Sequence, residues 1–335
     1  MNQQNTTNLL INKRHFGLEV LRILACFFVI IRHCPSSTIS QGALQSVINF
    51  VGFNMSRLAV PCFLMITGYF MLPLKNINDG GYYKRKYSRI LIPLLFWDIL
   101  YVVFFSEPSF SAYLNDFINI PNAGHLWYLN ELAILILLSA IISPFLKTVS
   151  KNILIVFLLL WGMTLIFNRN VFAEYPSYKF YFQPLNLIES LQPVYGYLGF
   201  LVLGYYVKRF GLSLLCKCLF LFLAFVVYFV EYFVINSPNP FSYLTIPNVL
   251  VTLVVFSFFE KFQSINNELY TFTVELSKLT FGIYLIHLMI ITLLKENFQN
   301  FFNIGLWSSS IVIFIISTVL VYLISKIPFS KYFIG

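Results

Sequence analysis

The sequence predicts an all-α, polytopic integral membrane protein with about ten transmembrane helices. Hydrophobic residues make up 59% of the 335 and charged ones only 10%, where a water-soluble domain has roughly half and a quarter. The apolar residues run continuously rather than alternating, which suits spanning helices and not barrel strands. The basic residues lie between the runs: assigned alternately to two sides, sixteen Lys and Arg fall on one side and three on the other, as the positive-inside rule requires. Orientation therefore accounts for the net charge of +9 without a nucleic-acid partner.

A helix needs about 20 residues to cross about 30 Å of hydrocarbon. The first run, 17–34, carries Arg22 and lacks a small-residue cleavage site, so it reads as a retained helix rather than a signal peptide. The second, 49–72, contains Pro61 and Gly68, which predict a kink and a close backbone approach. The third, 90–106, follows a basic loop, and the fourth and fifth, 126–146 and 152–168, are joined by a short lysine-flanked turn. The sixth, 194–208, is short and glycine-rich; 213–235, 243–260, 277–295 and 304–325 complete the set. With Lys13 and Arg14 inside, an even number of crossings puts both the N- and C-termini of this multi-pass cell-membrane protein in the cytoplasm. The outer connections 106–125 and 168–193 are too short to fold alone, so residues 1–335 read as a single membrane domain with no appended soluble domain. Five cysteines, mostly inside apolar runs, form no ligand spacing, and no metal is expected.

Ionisable groups within such runs cost about 2.5–3.5 kcal/mol each on insertion scales, which marks them as functional candidates. Arg22 and His33 share the first helix; their spacing leaves them about 20° apart in azimuth and about 16 Å apart along the axis. One face thus carries an inner cation and an outer imidazole. Arginine suits phosphate or carboxylate, and neutral imidazole suits proton transfer near neutral pH. The competing structural reading pairs Arg22 with Glu19 at i, i+3 and leaves His33 as a helix-end residue at the interface. Arg57 requires a carboxylate or a polar cavity. The loop from Tyr82 to Pro93 holds Lys84, Arg85, Lys86 and Arg89; it either faces anionic membrane lipid or gathers a polyanionic cofactor. Trp127 and Tyr128 read as an interfacial belt, whereas His125 and Glu131 add an imidazole and a carboxylate at the level of His33. His287 falls about 15 Å from an inner helix start at Ser277, near mid-membrane, where a histidine bonded to a neighbouring helix is the structural alternative.

In order along the chain, these segments resemble the membrane acyltransferase 3 family over nearly the full length. The likeness is carried by Arg22 and His33 with ten residues between them, and by Val60-Pro61-Cys62-Phe63 with Thr67-Gly68-Tyr69. Arg85 to Pro93, His125-Leu126-Trp127-Tyr128-Leu129 and Tyr284-Leu285-Ile286-His287 extend it. Thr67 stands where a serine often precedes that glycine, which keeps the hydroxyl. Members of the family mostly O-acylate bacterial surface sugars from acyl-coenzyme A. The resemblance implies acetyl-CoA, or another acyl-CoA such as succinyl-CoA, as donor substrate and a surface or lipid-linked glycan as acceptor.

The expected site has Lys84, Arg85 and Arg89 on the donor's nucleotide phosphates, Arg22 on its pyrophosphate or arm, and His33 at the thioester. There His33 either deprotonates a sugar hydroxyl or carries the acyl group itself. Arg57, His125, Trp127, Glu131 and His287 are expected on the acceptor side. Some family members carry a C-terminal hydrolase-like domain; this chain stops at Gly335, so the membrane domain is expected to act directly or to hand over to a separate polysaccharide-assembly protein. A transporter of a lipid-linked sugar or small anion also accounts for ten helices with intramembrane charge, although no paired repeat is visible.

Overall fold

A computed structural model describes residues 14–35, 42–77, 79–105, 124–166, 196–234, 241–264, 266–298 and 300–335. Their regular structure is entirely helical. The helices are α1 (Phe16–His33), α2 (Ala43–Ser56), α3 (Ala59–Met71), α4 (Gly80–Phe105), α5 (Trp127–Thr148), α6 (Lys151–Ile166), α7 (Leu198–Phe210), α8 (Leu214–Phe229), α9 (Ile246–Glu260), α10 (Asn267–Asn297) and α11 (Leu306–Ser325). Short helical turns precede α5 (Gly124–Leu126) and extend α8 (Val230–Val234).

Among the described residues, each of the ten apolar runs is mainly helical. Six stretches among these residues are long and apolar enough to cross a membrane: Ala43–Met71, Gly80–Phe105, Gly124–Thr148, Leu214–Val234, Asn267–Asn297 and Leu306–Ser325. The multi-pass membrane character stands on these. The count of ten also requires α1, which carries three charged residues, and α6, α7 and α9, which are 16, 13 and 15 residues long.

Three features differ from the sequence reading. The second run is two helices, α2 and α3, broken at Arg57–Leu58 rather than kinked at Pro61. Pro61 lacks the N–H that would pair with the carbonyl of Arg57, so that carbonyl needs another donor. Asn248, fully buried on α9, supplies it at 3.1 Å, while its own side-chain oxygen accepts from Thr252 at 2.9 Å. The basic segment after α3 is not a loop but the first turns of α4. And α10 begins at Asn267, so Ser277 lies inside the helix rather than at its start.

At the centre stands α1, which packs against α2, α3, α9, α10 and α11; Leu18, Cys26, Ile30 and Ile31 on it are fully buried. Helices α1 and α10 run parallel in fixed register. Arg22 meets Ser277, Cys26 donates to the carbonyl of Thr280 at 3.4 Å, and His33 meets His287 with ring centroids 5.4 Å apart. By contrast α8 turns large apolar side chains such as Leu215 and Phe225 outward, as a lipid-facing helix does.

Helices α3 and α7 pack backbone to backbone, and two glycines allow it. A methyl group on Gly68 would come 1.9 Å from the carbonyl oxygen of Leu201, and one on Gly204 2.0 Å from that of Met65. Small residues facing each other in this way let backbones approach inside a membrane, where van der Waals contact drives helix association. Gly68→Ala and Gly204→Ala are therefore expected to lower the thermal midpoint of the detergent-solubilised protein sharply. Gly162→Ala, which meets only Ile246 Cδ1 at 3.9 Å, is expected to leave it unchanged.

Candidate active site

Arg22 is held by groups from two helices. Its guanidinium donates to Glu19 Oε2 at 2.8 Å and approaches Ser277 Oγ at 3.4 Å. The Ser277 hydroxyl in turn donates to the same carboxylate oxygen. Glu19 is 3% exposed, and Arg14 lies 3.6 Å from its other oxygen. Structural pairing and an open face thus coexist, because Arg22 also lines a cavity.

That cavity holds about 770 Å³. At one end it is rimmed by Lys75 from the connection after α3, Lys86 of α4, Lys147 of α5 and Lys208 of α7, with Asp79 as the single acidic residue among the described residues on its wall. Lys147 donates to the Lys75 carbonyl at 3.5 Å, and Lys208 sits over the ring of Tyr69. The midsection is apolar, formed by Phe63, Ile66, Phe70, Met71 and Leu72. Arg22, Thr67 and Tyr128 stand on the same wall. Tyr128 and Lys147 belong to one helix and lie about 28 Å apart along it, so the cavity runs along most of a membrane-length helix.

Beyond Tyr128 lies a cluster of three imidazoles. His33 ends α1, His125 precedes α5 and His287 is in α10; ring centroids are 4.9 Å apart for His125–His287, 5.4 Å for His33–His287 and 6.1 Å for His33–His125. None of the three lines the cavity. The rings of Phe63, Tyr128 and Tyr284 form a row between the two, with centroids 6.1 and 5.9 Å apart.

Tyrosines fix the cluster. The Tyr284 hydroxyl donates to the carbonyl of His125. The Tyr101 hydroxyl donates to the carbonyl of Leu285 at 2.9 Å and accepts from the Met289 N–H at 3.0 Å. Those two backbone groups flank His287 and are the pair that an uninterrupted α-helix would join to each other. His287 Nδ1 lies 2.7 Å from the Tyr284 carbonyl. Among the described residues, no His, Cys, Asp and Glu group is placed to hold a metal ion.

A family model described as an acyltransferase domain matches residues 15–326. The chain belongs to this acyltransferase family. No curated protein and no solved structure matches it. The match embraces α1 to α11, with the residues that line the cavity and all three clustered histidines.

Four of the ten expected residues reach the cavity or the imidazole cluster. Arg22 reaches the cavity, and His33, His125 and His287 come together. Lys84, Arg85 and Arg89 are exposed and off the cavity wall, Arg85 reaching Asp79 at 3.5 Å. Because the segment is helical, Tyr82 and Lys86, four residues apart, turn inward together instead. Tyr128 is buried, not part of an interfacial belt. Trp127 packs its ring near Tyr197 and Tyr243. Arg57 donates to the Phe241 carbonyl at 2.8 Å, and Arg32 bonds Tyr243. Glu131 is half-buried on α5 and off the cavity wall; its Oε2 meets no hydrogen-bond partner among the described residues. Lys75, Lys147, Lys208 and Tyr101 were not singled out by sequence; the only signal for the three lysines was a shared membrane side.

Glu19 is the counter-charge that lets Arg22 stay in the bundle. Glu19→Leu is expected to cost about 3 kcal/mol, because a charge loses its partner. The double variant Glu19→Leu/Arg22→Leu is expected to recover most of that loss in a thermal-unfolding measurement.

Proposed function

We propose that this acyltransferase moves an acetyl group from cytoplasmic acetyl-CoA to a hydroxyl of a surface or lipid-linked glycan, with both termini in the cytoplasm. The observation that carries the reading is the cavity's polarity. A rim of four lysines leads through an apolar midsection to Arg22 and stops one aromatic row short of three imidazoles. Coenzyme A has a matching order: phosphates at one end, then a long arm, then the thioester. In this reading Lys75, Lys86, Lys147 and Lys208 bind the phosphates, and exposed Lys84, Arg85 and Arg89 draw the polyanion to the mouth. The mouth lies on the side where the loop charges put the cytoplasm.

At the far end the thioester reaches His33. A ring nitrogen of His33 takes the proton of the sugar hydroxyl as the oxygen attacks the thioester carbonyl. The C–S bond then breaks, and the thiolate leaves with the proton returned by His33. Arg57 and Trp127, with Arg32 and Tyr243, offer guanidinium donors and aromatic faces on the acceptor side, and His125 and Glu131 complete it. Succinyl-CoA carries the same nucleotide and arm, so a donor panel distinguishes the acyl groups.

The test is radiolabelled acetyl-CoA added to inverted membrane vesicles from cells making the protein. Covalent label on envelope glycan is the expected result, and solute accumulation without covalent label would favour transport instead. His33→Ala is expected to insert normally and to transfer nothing; wild-type incorporation by that variant would remove His33 from the mechanism. Lys86→Glu and Lys208→Glu are each expected to raise the half-saturating donor concentration by about tenfold, equivalent to about 1.4 kcal/mol. Lys84→Glu is expected to change it far less.

A further inference from the structure

The three clustered histidines are not equivalent, and one of them has its proton placed by the fold. A backbone carbonyl only accepts, so His287 Nδ1, 2.7 Å from the Tyr284 carbonyl, must be the nitrogen that carries hydrogen. Its Nε2 is then bare. That atom is fully buried and meets no partner among the described residues. A buried ring nitrogen left open in this way is destabilising, whereas a purely structural histidine satisfies both. Tyr101 holds the α10 backbone on either side of His287, so the ring stands on a clamped segment.

The ring of His33 lies 5.4 Å away, centroid to centroid. That separation is within reach of an N–H···N bond once the two rings turn their nitrogens toward each other, a contact of the kind that tightens when substrate binds. No carboxylate touches His33 among the described residues; its ring neighbours are His125 and His287.

We infer that His287 is the positioning residue for His33: its bare Nε2 receives the N–H of His33 and so presents the other nitrogen of His33 to the acceptor hydroxyl. It does for His33 what a carboxylate does for the histidine of a hydrolase triad, fixing tautomer and orientation and stabilising the imidazolium that forms. His287 neither gains nor loses a proton in the cycle. The hydroxyl proton goes to His33 and then to the departing thiolate. The inference rests on the reading of His33 as proton acceptor.

Three substitutions separate this from packing. His287→Gln places an acceptor oxygen near the Nε2 position, His287→Asn reaches only the Nδ1 position, and His287→Leu supplies volume without either. The readout is label transferred from acetyl-CoA to envelope glycan in inverted vesicles, normalised to folded protein by size-exclusion chromatography. Leu and Asn are expected to lower the maximal rate on the order of a hundredfold at an unchanged half-saturating donor concentration, with Gln retaining activity within about tenfold of wild type. His33→Ala/His287→Asn is expected to be no slower than His33→Ala alone.

Equal rates for Gln and Asn, whether both high or both low, would overturn the inference, and that comparison decides it even where Leu fails to fold. His33→Ala measured alongside keeps the two questions apart. An active His33→Ala sinks the reading of His33, while an inactive one with Asn equal to Gln sinks only the role of His287.

Discussion

The organisation of this protein depends on one carboxylate. Glu19 is buried in the first turn of the central helix, where an uncompensated charge is costly, and it is neutralised by Arg22 from its own helix and bonded by Ser277 from α10. Satisfying it fixes how far α10 slides along α1. The helices are parallel and each residue rises about 1.5 Å, so the register set at Ser277 carries through Thr280 to His287, which arrives beside His33. A buried ion pair at one end of the bundle thus decides whether imidazoles meet at the other.

The remaining packing serves that pair of helices. Gly68 and Gly204 draw α3 against α7, and α3 carries the Phe63 and Thr67 wall of the cavity. The break between α2 and α3 leaves a carbonyl unpaired inside the membrane, and Asn248 closes it from α9. In a solvent that offers no hydrogen bonds, each departure from regular helix needs such a named donor.

Membrane character, the existence of the helices and the Arg22–His33 face were legible in the sequence, because hydropathy and helical period are local properties. The close approach at Gly68 was legible for the same reason: a glycine facing a spanning helix has few other uses. What was not legible came from tertiary choices. Whether Tyr82 to Arg89 forms loop or helix decides which cation turns inward, and the segment's composition is compatible with both. Tyr128 resembled an interfacial ring because its neighbours in sequence are Trp127 and polar residues; it is the rings of Phe63 on α3 and Tyr284 on α10 that pack against it. His287 looked isolated because its partners are more than a hundred residues away in the chain. The lysine rim is the extreme case, assembled from three helices and one connection with no shared motif.

The aromatic row at Phe63, Tyr128 and Tyr284 separates a water-accessible cationic cavity from the imidazoles. A bilayer is also an electrical insulator, and a continuous file of water and histidine from one face toward the other would conduct protons down the membrane potential. Tilted and edge-on rings across the path interrupt such a file. Where the cavity stops is therefore as much a matter of the cell's energy supply as of chemistry: the aromatic row stands where an unbroken file of water would leak protons.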